Sequence, residues 1–140
     1  MTSRTSAPEA APAFADATTE DAVKKGILVE LSRRGFLVWR NNSGSLFQSF
    51  PAGMLHGRQV FYRGRLVQFG LEGSPDILGF CRLCGLLVAV EVKRPRGGVV
   101  SDVQLAFAAQ VAPSGAFYGV ARTVAQAVEL ADAHRSRCHR

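Results

Sequence analysis

Leu86-Leu87-Val88-Ala89-Val90-Glu91-Val92-Lys93 is the stretch on which the fold turns. Apart from its two charged residues it is an unbroken apolar run, the pattern of a central strand covered on both faces. The run ends in opposite charges two positions apart. A strand period of two places Glu91 and Lys93 on one face, at the end where a buried core opens towards a loop. Upstream, Asp76 to about Phe80 reads as a second strand, with Arg82 to Gly85 reversing the chain. The fourteen residues between Asp76 and Glu91 fold naturally into this hairpin, which returns Glu91 to the neighbourhood of Asp76.

Outward from the hairpin, the pattern predicts a helix from about Thr19 to Arg34, with Val23, Ile27 and Leu31 at helical spacing and Gly35 as its stop. Glu30 interrupts the apolar side and points either to the core, to a cleft beside it, or to solvent at the edge of the stripe. Phe36 to Arg40 reads as a strand broken by Asn41, Asn42, Ser43 and Gly44. A long loop follows. Arg58 to Tyr62 and Arg65 to Phe69 read as a hairpin turning at Arg63 and Gly64, whose arginines serve solvation or contact a phosphate backbone. Beyond Lys93, Ser101 suits a helix cap with Gln104 three positions on, and Phe107, Ala108 and Val111 continue one face. A strand over Ala116 to Ala121 and a helix from about Thr123 to Ala133 complete the order. Strands and helices in this order predict an α/β fold, a central mixed sheet flanked by helices.

The chain has 140 residues, enough for one domain, assigned to residues 20–133, with a flexible tail over 1–19 and a basic tail over 134–140. Seventeen Lys and Arg against eleven Asp and Glu leave a net charge of +6, which favours a polyanionic partner, nucleic acid first. The first nineteen residues lack the basic start and apolar run of a secretory signal, and no apolar stretch is long enough for a membrane span. A cytoplasmic protein is expected, without membrane partners, in which Cys81, Cys84 and Cys138 remain thiols.

Hydrolysis of a phosphodiester needs a nucleophilic water, neutralisation of charge on the pentavalent transition state, and help for the leaving oxygen. Two carboxylates from neighbouring strands make a partial shell for Mg²⁺, a hard cation that retains waters, and Mn²⁺ substitutes for it. Asp76 and Glu91 meet that requirement. Lys93 shares the Glu91 face and can orient or deprotonate water, or counter phosphate charge. Taken singly, Glu91 and Lys93 also read as a strand-end ion pair and Pro75-Asp76 as a turn. The combination is more specific: an acid at one strand start, Glu-Val-Lys ending the adjacent strand, and a glutamine-capped helix next.

The segments Arg40-Asn41-Asn42-Ser43-Gly44, Phe69-Gly70-Leu71-Glu72-Gly73-Ser74-Pro75-Asp76-Ile77-Leu78-Gly79, Glu91-Val92-Lys93-Arg94-Pro95 and Gly98-Val99-Val100-Ser101-Asp102-Val103-Gln104 resemble, in content and order, the VRR-NUC family of the PD-(D/E)xK nuclease superfamily. The resemblance implies a restriction-endonuclease-like core with Asp76 and Glu91 as metal ligands and Lys93 as the catalytic lysine. It also implies Glu30 as the acidic ligand of the first helix and Gln104 as the motif glutamine, touching water, Lys93 or phosphate; a capping role is the other reading of Gln104, and the two are compatible. Standalone relatives look like homodimers acting on branched DNA such as four-way (Holliday) junctions in replication and repair, which implies a bacterial or phage-encoded enzyme of that kind. Arg40, Asn41, Asn42, Arg63, Arg65 and Arg94 are the candidate DNA contacts. General duplex cleavage and a non-catalytic DNA-binding role are the competing readings. Cys81-Arg82-Leu83-Cys84 resembles half of a zinc knuckle that Cys138 with His134 or His139 would complete, but the sequence lacks a second Cys-x-x-Cys and structural zinc is not expected.

Overall fold

Thr19 caps the first helix, α1 (Glu20–Arg33), its hydroxyl accepting the Ala22 N–H. Acidic Glu20 and Asp21 in the first turn and Arg33 in the last complement the helix dipole. The computed structural model describes residues 19–62 and 64–138, so all but Thr19 of the expected tail over residues 1–19, and the candidate Arg63, lie outside the described residues, and Thr19 itself is the cap of α1. After α1 come β1 (Phe36–Arg40), β2 (Gly44–Phe47), β3 (Phe50–Leu55), β4 (Arg58–Tyr62) and β5 (Leu66–Phe69). The second half holds β6 (Ile77–Cys81), β7 (Leu87–Val92), α2 (Asp102–Val111), a 3₁₀ turn (Ala112–Ser114), β8 (Phe117–Ala121) and α3 (Val124–Arg135).

The central sheet has the order β1-β6-β7-β8, antiparallel except for the parallel β7–β8 pair. The α/β class and mixed sheet expected from sequence are therefore present. β7 is central and buried along nearly its whole length. On one face Val88, Val90 and Val92 join Phe36, Ile77 and Phe117 beneath Val23, Ile27 and Leu31 of α1 and Ala127 and Ala131 of α3. Each large aliphatic side chain taken from water there contributes roughly 1.5–3 kcal/mol before ordering entropy is counted. Helix α2 covers the opposite face: the Phe107 ring lies 6.4 Å from Tyr118, whereas the preceding Phe117 faces Phe36 and His134. Adjacent strand residues point to opposite faces, which fixes this sidedness. Among the described residues, no helix is long and apolar enough to cross a membrane.

The middle of the chain departs from expectation. Arg58–Tyr62 does not pair with the strand that follows it; it pairs with β3, while β5 pairs with β2, giving one hairpin nested inside another. The inner turn is His56-Gly57, both at positive φ (49° and 75°), a geometry that suits the twist of a tight hairpin. Histidine is an uncommon residue there, so the turn carries little signal in sequence. The last helix also runs two residues beyond the expected Ala133, and His134 is buried rather than part of a frayed tail.

A close backbone approach positions the sequence that precedes β6. Gly73 adopts φ +77°, and a Cβ there would stand 2.3 Å from the Val103 carbonyl oxygen in the first turn of α2. Only glycine lets this loop press against α2 without displacing one of them. Gly73→Ala should lower the free energy of unfolding by about 1–3 kcal/mol, measured by urea titration. An unchanged midpoint would show that loop and helix are not held together as described.

Candidate active site

The loop entering β6 is fixed by Asn41. Its side-chain amide donates to Ser74 Oγ and to the Pro75 carbonyl, both at 2.8 Å, and its backbone N–H donates to the Asp76 carbonyl at 2.7 Å. Ser74 Oγ in turn donates to the Leu71 carbonyl at 2.6 Å. The turn is thus tied to the end of β1, which sets where the Asp76 carboxylate begins. Asp76 Oδ2 accepts the Val92 N–H at 2.9 Å, and Oδ1 meets Lys24 Nζ at 2.8 Å. Lys24 also reaches Glu20 Oε1 at 2.8 Å. Burial works against the Lys24 charge, but Asp76 and Glu20 together hold its pKa above the ordinary lysine value.

Glu91 stands across from Asp76, one step beyond the Ile77–Val90 pair of the antiparallel ladder. It is only 3% exposed. Its Oε1 accepts Gln104 Nε2 at 2.5 Å and faces Lys93 Nζ at 3.0 Å. Lys93 Nζ also donates to Gln104 Oε1 at 3.0 Å, closing a three-membered polar ring. That same Oε1 accepts the Ser101 N–H at 2.9 Å while Ser101 Oγ accepts the Gln104 N–H, so the capping box is complete and shares its glutamine with the ring. Both readings of Gln104, cap and site residue, therefore describe contacts that exist. Burial raises the Glu91 pKa above the usual carboxylate range, and the nearby Asp76 charge adds to this, against the opposing pull of Lys93 and Gln104.

Asp76, Glu91, Lys93 and Gln104 are brought together; Glu30 is not. Glu30 turns back along α1 to Arg33 at 3.2 Å and Arg34 at 3.9 Å, and it is Glu20, ten residues earlier, that approaches Asp76 through Lys24. Neither Glu20 nor Lys24 was singled out from sequence, although an i,i+4 Glu-Lys pair in the first turn was the available signal. Arg122 is a further residue that motif reading missed: its guanidinium donates to the Arg94 carbonyl at 2.9 Å and the Gly98 carbonyl at 2.6 Å, pinning the loop after Lys93.

The candidate DNA contacts divide by environment. Asn41 is committed to the Asp76 turn, whereas Arg40, exposed and paired with Asp21 at 2.9 Å, borders an open hollow with Lys24, Asn42, Phe69 and Asp76. Arg65 and Arg94 are exposed.

The expectation that no structural zinc site would form is overturned. Cys81, Cys84, His134 and Cys138 gather at the far end of the β6–β7 hairpin with their candidate ligand atoms all within 4.8 Å of one another. Helix α3 supplies what a second Cys-x-x-Cys would have supplied, at a sequence separation that motif spacing does not reveal. His139, the other histidine considered from sequence, lies outside the described residues.

Comparison of the sequence with models of known protein families and with curated proteins gives no match.

Because the folded-state pKa of Glu91 is raised, the folded chain holds that proton more tightly than the unfolded chain. This contribution to stability is full below the unfolded-state value and is lost as pH rises through the elevated folded-state value. In Mg²⁺-free buffer, Glu91→Gln should therefore flatten the fall in thermal midpoint over that rise. Parallel pH profiles for wild type and Glu91→Gln would show that burial does not raise this carboxyl.

Proposed function

We propose that this chain is a Mg²⁺-dependent endonuclease hydrolysing phosphodiester bonds of DNA, built on a restriction-endonuclease-like core of the VRR-NUC type. One observation carries the reading: two carboxylates from neighbouring strands meet at the open end of the sheet, and one of them is ringed by a lysine and a glutamine. A structural ion pair has no need of the second carboxylate, whose charge raises the Glu91 pKa.

The residues fit a hydrated divalent cation. Among the described residues Glu91 Oε2 accepts no hydrogen bond, since Gln104 and Lys93 both use Oε1. The Tyr118 hydroxyl is buried without a partner among them, close enough for the Glu91 charge to raise its pKa further after burial has done so. These are open polar atoms of the kind that metal-held waters satisfy. Asp76 and Glu91 would hold the cation, Mg²⁺ with Mn²⁺ as a substitute, which when bound polarises the phosphate and acidifies a water.

The chain's own groups do the rest. Lys93 has three N–H donors and uses two of them on Glu91 and Gln104, leaving one for a water or a phosphate oxygen. Held in this ring, the ammonium cannot swing away, so it meets developing negative charge without reorganisation. Asn41 and Val92 fix the two ends of the Asp76 carboxylate's support, and Lys24 balances its charge before the phosphate enters. Arg40 and Asn42 line the hollow beside Asp76, where the DNA backbone would pass, with exposed Arg65 and Arg94 extending the positive surface.

The reading extends to branched DNA such as a four-way junction, cut by a homodimer with two such sites. Support for a second copy comes from the β3–β4 hairpin: none of its described residues is buried, and it exposes Phe50, Met54, Leu55, Phe61 and Tyr62. Phe50, Leu55 and Tyr62 share one face of the hairpin and Met54 and Phe61 the other, and so much exposed apolar surface suits contact with a partner. The three thiols, none in a disulfide, suit a reducing cytoplasm, that of a bacterium or of a phage-infected host.

Purified protein incubated with labelled four-way junction, flap and linear duplex should cut in Mg²⁺ or Mn²⁺ and not when the cation is omitted. Asp76→Asn and Lys93→Ala should each lower the rate about 10²–10⁴-fold in protein that still folds, although Lys93→Ala, by unpairing the buried Glu91, should also lower the thermal midpoint. Tight DNA binding without metal-dependent cutting would sink the nuclease assignment in favour of an accessory binder, and equal rates on junction and duplex would sink the preference for branches. Sedimentation should give a dimer that Met54→Lys with Phe61→Lys converts to monomer; a monomeric wild type would remove the paired-cut geometry.

A further inference from the structure

The hairpin that presents Asp76 and Glu91 at one end carries Cys81 and Cys84 at the other. From Asp76 to Cys81 the strand advances about 17 Å at about 3.3 Å per residue, so these cysteines are remote from the carboxylates. Helix α3 delivers His134 in its last turn and Cys138 just beyond it. Cys84 Sγ lies 3.3 Å from His134 Nε2, Cys138 Sγ lies 3.2 Å from Cys84 Sγ, and Cys81 Sγ lies 3.8 Å from Cys138 Sγ.

Tetrahedral zinc with Zn–S bonds of about 2.3 Å and a Zn–N bond of about 2.0–2.1 Å requires S···S edges of about 3.8 Å and S···N edges of about 3.6 Å. The distances above equal those edges or fall short of them by about 0.3–0.6 Å, and since all the candidate ligand atoms lie within 4.8 Å of one another, side-chain adjustment is enough to seat the ion. One further feature suits a metal rather than a chance meeting of thiols. His134 is buried, with its ring against Phe117 at 5.4 Å and Phe36 at 6.0 Å, so Nε2 is aimed at the sulfurs by core packing.

We propose that Cys81, Cys84, His134 and Cys138 bind one structural Zn²⁺ ion, which fastens the end of α3 to the turn between β6 and β7. With four protein ligands the ion has no open position, so it takes no part in hydrolysis. Its effect is mechanical. Cys84 and His134 are 50 residues apart, and joining them encloses β7, α2, β8 and α3 in one cross-linked loop. The unfolded chain then loses freedom that the folded chain never had. The link also holds β6 and β7 against slipping, which keeps Asp76 opposite Glu91 at the other end.

The full-length chain, purified under reducing conditions without chelator, should contain about one zinc per chain by elemental analysis. Cobalt(II) exchanged into it should give the absorption of a tetrahedral site with thiolate charge-transfer bands. Asp76→Ala with Glu91→Ala should keep the zinc, while Cys81→Ser and Cys138→Ser should lose most of it and melt at lower temperature. Because these variants can fail to fold, the stoichiometry and cobalt spectrum of the wild-type chain decide the matter. Zinc that follows the carboxylates instead of the cysteines would overturn the proposal. So would a reduced wild-type chain that takes up no Zn²⁺, or a Cys84–Cys138 disulfide in the protein as isolated. None of these outcomes depends on whether the chain cuts DNA.

Discussion

A strand covered on both faces has little room for charge, yet β7 ends with a carboxylate that is almost wholly buried. Most of the site follows from that conflict. An isolated ionised carboxyl in such a place would be strongly unfavourable, so Glu91 must either keep its proton or be given partners. Lys93 lies two positions on along the same strand, and Gln104 is lowered from the first turn of α2. The crossover connection between β7 and β8 places that helix over the required face. The sheet order and the polar ring are therefore parts of one solution, and neither Lys93 nor Gln104 can be moved without exposing the other side of the problem.

Asp76 is treated differently. It immediately precedes β6, partly exposed, and its position is set by backbone contacts: Asn41 grips the preceding turn and the Val92 N–H takes one carboxylate oxygen. Lys24 occupies the other oxygen. A cationic side chain there balances the charge of Asp76 and, through Glu20, ties the first turn of α1 to the strand end. Two carboxylates side by side thus have unequal environments, one almost wholly buried and one partly exposed.

The β6–β7 hairpin was legible in the sequence because its apolar run is too dense for an edge strand and its charges fall at the end with strand periodicity. Gln104 was legible because a capping box has fixed spacing. The first helix was less so: helical periodicity identifies which side of α1 faces the sheet, but not which turn of it meets the strand ends. Glu30 and Glu20 are both acids on that helix, and only the position of β6 distinguishes them. The nested hairpins were hidden by a His-Gly turn; the members of the cysteine–histidine cluster could be named from sequence, but not that they meet, because the two halves come together only through tertiary packing. The choice between Glu20 and Glu30 and the meeting of the cysteines with His134 depend on distant elements, whereas the hairpin pairing depends on a local turn whose histidine gives no turn signal.

Gln104 connects these themes. Its carboxamide presents an oxygen to Ser101 N–H and Lys93 and a nitrogen to Glu91, so both ends of a two-faced group are engaged at once. For capping alone, glutamate would serve as well as glutamine. Here it would bring a third negative charge against a carboxylate that already resists ionisation, with no N–H left to offer it. The protein thus distinguishes between two side chains of nearly identical shape by the polarity of a single atom, and the start of a helix sets the charge balance around the buried carboxylate beside it.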